Sequence, residues 1–319
     1  MSEFDLIKRY FTRPTPRAAL GVGDDAALLR IAEGMEVAVS TDMLVSGTHF
    51  FPDADPYLLG HKTLAVNLSD LAAMGAQPCW ATLAMSLPEA DERWLQRFSE
   101  GFFALADEYG VELIGGDTTR GPLNLCVTIM GLVPKRKALR RSGAQAGDDI
   151  WVSGKLGDAA LGLAHLQGKI KLPEHARVSC LAAQQQPQPR IALGLALRGI
   201  ANSVIDISDG LLADLGHILE SSSVAAEVRY DRLPVSSLFA SNGDAMLELA
   251  QRCVLSGGDD YELCFTAPDT QRGEIEALSS TLRLPLTRIG KIVSGHGCKL
   301  RTADGNVMTV KEAGYDHFA

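Results

Sequence analysis

Aspartates set among glycines, serines and threonines carry most of the chemical content of this chain. They occur in Gly21-Val22-Gly23-Asp24-Asp25, Val39-Ser40-Thr41-Asp42, Ile114-Gly115-Gly116-Asp117-Thr118-Thr119, Ile205-Asp206-Ile207-Ser208-Asp209-Gly210 and Ser256-Gly257-Gly258-Asp259-Asp260. The acids follow apolar runs, which predicts positions at strand ends, where ligands gather on open α/β sheets. Glycine lets the backbone approach a ligand closely. Carboxylates brought together repel one another unless a cation joins them. Donors that are all oxygen select a hard cation such as Mg²⁺. The chemistry implied is metal-mediated handling of phosphates.

Each segment also has a plainer reading, because Asp before a helix is commonly an N-cap or turn residue. Asp209, ahead of Gly210-Leu211-Leu212, is an example. Asp70 stands apart. It lies inside a predicted helix, three residues after Asn67 and on the same side. Asp is a poor helix former, so Asp70 is either a ligand or part of a solvated face. The chain has no Gly-x-x-x-x-Gly-Lys-Ser/Thr loop, no His-Arg-Asp and Asp-Phe-Gly set, no Gly-x-Ser-x-Gly elbow and no His-Glu-x-x-His. Gly154-Lys155-Leu156-Gly157 is not a dinucleotide fingerprint.

The elements that must hold these acids are legible in outline. Pro56 to Met74 reads as an amphipathic helix with Asp55 as N-cap and Gly75 as stop. Trp80 to Leu87 reads as a buried strand, Glu92 to Tyr109 as a helix closed by Gly110, and Val111 to Ile114 and Leu125 to Val133 as strands. Lys135, Arg136, Lys137, Arg140 and Arg141 then crowd a short stretch. That stretch is a solvated linker, or it brings one arginine to a phosphate. A second pattern follows: strands at Asp149 to Val152, Val204 to Ile207, Tyr261 to Thr266 and Leu286 to Ile292, helices after Gly157 and over Gly210 to Glu220, and a polar loop at Gln184 to Pro189. The expectation is a mixed α/β chain with domains at 1–137 and 138–319.

At 319 residues the chain is long enough for two such domains. The charge balance of 30 basic against 39 acidic residues, net −9, argues against a nucleic-acid footprint. No apolar run approaches the roughly 18 residues of a membrane helix. The acids in Met1-Ser2-Glu3-Phe4-Asp5 are unlike a signal peptide, and the expectation is a cytoplasmic protein. The six cysteines lie far apart with no Cys-x-x-Cys pair, which points to core residues rather than zinc or dithiol chemistry.

The same segments, with His49-Phe50, Asn67-Leu68-Ser69-Asp70-Leu71-Ala72-Ala73-Met74-Gly75-Ala76, Arg141-Ser142-Gly143-Ala144, Asp259-Asp260-Tyr261-Glu262-Leu263 and Gly314-Tyr315-Asp316-His317-Phe318, resemble the thiamine-monophosphate kinase family nearly end to end. That resemblance implies a two-domain α/β fold of α+β type, like aminoimidazole-ribonucleotide synthetase. Its N-terminal domain would pair with a second copy to close a β-barrel in a homodimer, beside a C-terminal α/β domain. It implies transfer of a phosphoryl group from ATP to thiamine monophosphate, giving thiamine diphosphate, with several Mg²⁺ ions. Carried over position by position, Asp25, Ser40, Thr41, Asp42, Asp70, Asp117, Asp206 and Asp209 would be metal ligands. Gly116, Asp117, Arg141 and Ser208 would contact ATP, and His49, Asp259 and Tyr315 the thiamine substrate. Neither nucleic acid nor membrane is implied as a partner. One departure is Asp259, where the family usually has Glu.

The acceptor in such a reaction is a phosphate oxygen, with a second pKa of about 6, which needs no general base. Its problem is repulsion between two polyanions, which cations and in-line positioning solve. Without the resemblance, His49 reads as a structural histidine and Tyr315 as an aromatic that pins the tail. The rivals within the fold are aminoimidazole-ribonucleotide synthetase, selenophosphate synthetase and the hydrogenase-maturation dehydratase. The second carries a reactive Cys and Lys near its N-terminus and the third ends in a cysteine. Here the first cysteine is Cys79 and the chain ends His317-Phe318-Ala319. A Mg²⁺-dependent phosphohydrolase and a non-catalytic nucleotide sensor are rivals of other classes.

Overall fold

The computed structural model describes residues 2–236, 244–308 and 314, with the backbone alone for 244–247. The chain divides into two compact units, Met1–Leu71 with Ala76–Arg136, and Ala72–Gly75 with Lys137–Ala319.

In the first unit, α1 (Glu3–Leu6) runs into a π-helical turn at Ile7–Phe11. The strands β1 (Ala18–Leu20) and β2 (Leu28–Leu29) form a two-stranded ribbon. There follow β3 (Met35–Val45), α2 (Pro56–Ala73), β4 (Gln77–Leu87), α3 (Glu92–Tyr109), β5 (Glu112–Arg120) and β6 (Asn124–Pro134). The four long strands make one sheet in the order β3-β6-β4-β5, with only β4 and β5 parallel. In the single chain this sheet is open, not a barrel.

Local chemistry explains the helix ends. The Asp55 carboxylate accepts the Tyr57 and Leu58 N–H groups, as expected of an N-cap. Asp91 does the same for Arg93 and Trp94 at the start of α3, and Gly110 closes that helix at φ 65°. The amphipathic reading of α2 is corrected: every residue from Leu59 to Ser69 is buried. A Cβ on Gly60 would lie 2.1 Å from the Phe98 carbonyl oxygen, and one on Gly101 1.9 Å from that of Tyr57. The two helices therefore meet backbone to backbone, and α2 has no solvated face to spare.

The second unit contains β7 (Asp149–Ser153), α4 (Asp158–Leu166), α5 (Glu174–Gln185), α6 (Ile191–Ala196), β8 (Ser203–Asp206), α7 (Leu211–Ser222), β9 (Ala225–Arg229), α8 (Asp244–Ser256), β10 (Leu263–Ala267), α9 (Arg272–Leu282), β11 (Leu286–Val293), β12 (Gly297–Arg301) and β13 (Val307–Met308). Its sheet runs β13-β12-β9-β11-β7-β10-β8, parallel only between β12 and β9. Leu211, Leu215 and Ile218 of α7 pack on Ile150, Ile205 and Ile289 to form the core. The loop expected from Gln184 begins later, because α5 runs to Gln185 and buries Gln184. All six cysteines are free, and four are buried.

Candidate active site

Alternation along β3 sorts its polar residues. Ser40 and Asp42 face α2. The Ser40 hydroxyl donates to Asp70 Oδ2 at 2.5 Å, and the Asp42 N–H donates to Asn67 Oδ1 at 3.2 Å. Asn67 and Asp70, three residues apart, thus share the helix side turned to the strand. This removes the solvated-face reading of Asp70. Thr41 points the other way and meets Thr128 across the sheet at 2.8 Å. Its side chain cannot join Ser40 and Asp42, so a shared ion would reach Thr41 only at its carbonyl.

Two acids expected at strand ends lie inside strands. Asp42 is the eighth residue of the eleven in β3, and Asp117 is the sixth of the nine in β5. The Gly115-Gly116 pair is itself strand, with a register shift against β4 between Ala81 and Thr82. Gly116 is required where it stands: its φ is 148°, and a Cβ would lie 1.8 Å from the Leu83 carbonyl oxygen.

Gly116 and Asp117 line a cavity of about 660 Å³ together with Gly23 to Ala27, and Phe4, Ile7 and Phe11 contribute apolar wall. Asp25 is therefore brought to the same cavity as Asp117. The size falls in the range of about 300–1,000 Å³ usual for small-molecule sites.

In the second unit, Asp206 ends β8 and is buried, and the chain turns through Ile207, Ser208 and Asp209 into α7. Asp214, in the first turn of that helix, accepts the N–H groups of Ser208, Asp209 and Gly210 at 3.0, 3.1 and 3.1 Å. Burial, and then the charge of Asp209, push the Asp214 carboxyl up to about 7. The Gly258–Tyr261 turn is laced to this loop. Asp259 N–H donates to the Ser208 carbonyl and Tyr261 N–H to that of Ile207, both at 2.8 Å. The Tyr261 hydroxyl donates to Asp259 Oδ1 at 3.1 Å. Beyond it Glu262 is buried and held by Arg190 and Ser153. Sequence reasoning missed Asp214, Tyr261 and Arg190. The signal for Asp214 was an acid in the first turn after a Gly-rich bend; Arg190 left none.

The remaining residues divide. The His49 Nδ1 accepts the Val45 N–H at 3.0 Å within its own turn, which leaves the ring proton on Nε2. Arg141 lies on an exposed segment held by Ser222. Gly314 lies against Ala213 and the Asp209 carbonyl, while Tyr315 falls outside the described residues. Among the described residues no group of three or more His, Cys, Asp or Glu could by itself hold a metal ion.

Residues 23–133 match the family model "AIR synthase related protein, N-terminal domain", and residues 145–302 match the corresponding C-terminal domain. Thiamine-monophosphate kinase from Escherichia coli (strain K12) is 48% identical, covering 99% of this chain and 98% of the relative. That from Haemophilus influenzae is 44% identical over 100% and 98%. The crystal structure of thiamine-monophosphate kinase from Stenotrophomonas maltophilia K279a aligns with a TM-score of 0.85 at 50% identity, covering 96% of each chain. The AaThiL complex with AMPPCP and TMP aligns at 0.78 and 30% identity, covering 99% and 96%. The hydrogenase maturation protein HypE of E. coli aligns at 0.80 but only 22% identity, a likeness of fold alone.

Proposed function

The chain belongs to the AIR synthase related family and, within it, to the thiamine-monophosphate kinases, and from this we propose that it phosphorylates thiamine monophosphate with ATP. A phosphate oxygen of the thiamine substrate attacks the γ-phosphorus. The new P–O bond gives thiamine diphosphate, and the bond to the β–γ bridging oxygen breaks to release ADP. The attacking oxygen is already ionised near neutral pH, its second pKa being about 6. The protein's task is then to hold two polyanions in line.

The observation that carries this reading is the cavity that Asp25, Gly116 and Asp117 share. We assign it to ATP: Gly116 lets the phosphates approach the strand, and Arg141 and Ser208 are further ATP contacts. His49 through Nε2–H, Asp259 and Tyr315 are the thiamine-substrate contacts. The donors fit Mg²⁺ in kind, being oxygen throughout. Asp25, Ser40, Asp42, Asp70, Asp117, the Thr41 carbonyl, Asp206 and Asp209 would hold it. Bound there, Mg²⁺ supplies the positive charge that offsets the phosphate oxygens. Ser40 sets the orientation of the Asp70 carboxylate, and Asn67 holds the Asp42 backbone, before any ligand arrives.

We assign the domains to 1–137 and 138–319, the working state to a homodimer whose N-terminal sheets close a barrel, and the compartment to the cytoplasm. Among the described residues no helix is long and apolar enough to cross a membrane. The test is incubation with ATP, Mg²⁺ and thiamine monophosphate, following both nucleotide and thiamine products. Thiamine diphosphate and ADP in equal amounts support the reading. Phosphate release without thiamine diphosphate makes the protein a hydrolase, and ATP binding without turnover makes it a sensor.

A further inference from the structure

The segment Gly258–Glu262 has an unusual backbone. Gly258, Asp259 and Tyr261 have φ of 67°, 62° and 48°, and two of the three are not glycine, the bulky Tyr261 least suited to this region. Such a conformation persists only when its surroundings over-determine it. On one side, Asp259 and Tyr261 join their side chains, carboxylate to phenol, and their N–H groups are taken by the Ile207–Ser208 backbone. On the other, Asp260 and Glu262 turn into the protein. Glu262 is held by the Arg190 guanidinium and the Ser153 hydroxyl, and a Cβ on Gly154 would collide with its carboxylate.

Asp260 is the second anchor. Its Oδ1 accepts the Gly157 N–H at 2.9 Å, at the residue that precedes α4. Its Oδ2 is sealed from solvent with no hydrogen-bond partner among the described residues. A buried carboxyl oxygen left without a partner is costly, so stability alone does not account for Asp at this place. Burial, then the charges of Glu262, Asp158 and Asp259, push the carboxyl well above the usual carboxylate range. What the side chain contributes is one acceptor, the Oδ1 that takes the Gly157 N–H.

We propose that Asp260 is a positioning residue for the thiamine substrate: by gripping Gly157 it fixes the left-handed turn in which Asp259 and Tyr261 present their joined polar ends. The inference rests on Asp259 being a substrate contact. The neighbouring Ser208–Gly210 loop touches this turn through the Ile207 and Ser208 carbonyls but has an anchor of its own, because Asp214 takes all three of its N–H groups. Loss of Asp260 should therefore separate the two substrates.

The experiment compares Asp260→Asn, Asp260→Ala and Asp259→Ala in the full-length protein, with KM measured for each substrate in turn and thermal unfolding alongside. The amide keeps an acceptor for Gly157, so Asp260→Asn should hold the KM for thiamine monophosphate within about twofold. Asp260→Ala should raise it about tenfold or more, the size of one lost hydrogen bond, with the ATP value within about twofold. Asp260→Ser, too short to reach Gly157, serves as the loss variant if the alanine protein does not fold. Equal changes in both KM values, no change in either, or failure of Asp260→Asn to match the parent overturns the inference. If Asp259→Ala raises the thiamine monophosphate KM while Asp260→Ala and Asp260→Ser do not, the inference alone falls. If Asp259→Ala leaves that KM unchanged, the substrate assignment itself falls.

Discussion

Asp42 lies on the covered side of β3, half-buried, with its N–H fixed by Asn67. Asp42→Asn keeps the shape and this backbone bond but removes the charge that would hold Mg²⁺. Unfolding should be nearly unchanged while turnover falls by orders of magnitude; turnover within a few-fold of the parent at saturating Mg²⁺ would remove Asp42 from the ligand set. The basic run allows a sharper contrast. Arg141 and Lys137 are both exposed and four residues apart. Arg141→Ala should weaken ATP use by about 1–3 kcal/mol if the guanidinium binds a phosphate. Lys137→Ala should cost under about 1 kcal/mol, as exposed charges do. Equal losses in steady-state kinetics would make the run a diffuse patch. Asp259 gains a reason of its own at this scale. With φ at 62°, the position suits Asp, which tolerates left-handed backbone better than the Glu usual in the family.

At the scale of elements, β7 shows how the second unit is pinned. Asp149, its first residue, is fully buried. It accepts from Arg272 Nη2 at 3.0 Å and from the same residue's Nε, with Arg288 at 3.6 Å. Burial alone would raise its pKa, but the Arg272 hydrogen bond and charge, helped by Arg288 and Lys291, hold it below the ordinary carboxylate value. A depressed carboxylate contributes stability above its unfolded pKa of about 3.9, and loses it as pH falls through the folded value. Arg272→Ala should therefore destabilise at pH 7 by the low end of about 3–5 kcal/mol, since Arg272 is partly solvated and Arg288 remains. The difference from the parent should shrink below about pH 4. Thermal unfolding at both pH values decides it: a difference that stays constant into acid would mean the pair is not what holds β7.

What the sequence made legible at this scale was whatever depends on neighbours a few residues away. The Asp55 cap, the Gly110 stop and the core strands of the second unit follow from local pattern. The burial of α2 on all sides did not, because it depends on Gly60 and Gly101 meeting helix α3 across the fold. Nor did the strand character of Gly115-Gly116-Asp117, where pairing with β4 overrides the glycine signal. The acids of the site were found by type and company. Of the residues that hold them, Asp214 was not, and Asp260 stood out only as one more acid of its run, since an anchor is recognised only by what it grips.

For the molecule as a whole, the decisive feature is the second face of the N-terminal sheet. Ser40, Asp42 and Leu44 turn β3 toward α2, so Val37, Val39, Thr41 and Met43 lie on the other side, and Val39 and Met43 are 60% and 56% exposed. Because β3 is also the edge strand, an apolar row and an unpaired edge coincide, which in a soluble monomer invites association. A second copy presenting the same row would cover it in a closed two-fold contact. The expected outcome is that the protein sediments as a dimer at micromolar concentration. Val39→Glu with Met43→Glu should sediment as a monomer, because charges placed inside an apolar contact lose hydration without a partner. Both positions are exposed in the single chain, so each protomer should remain folded by circular dichroism, surface changes costing within about 0.5 kcal/mol. A parent that is monomeric at every concentration would refute the barrel, and a dimer untouched by both glutamates would place the interface elsewhere.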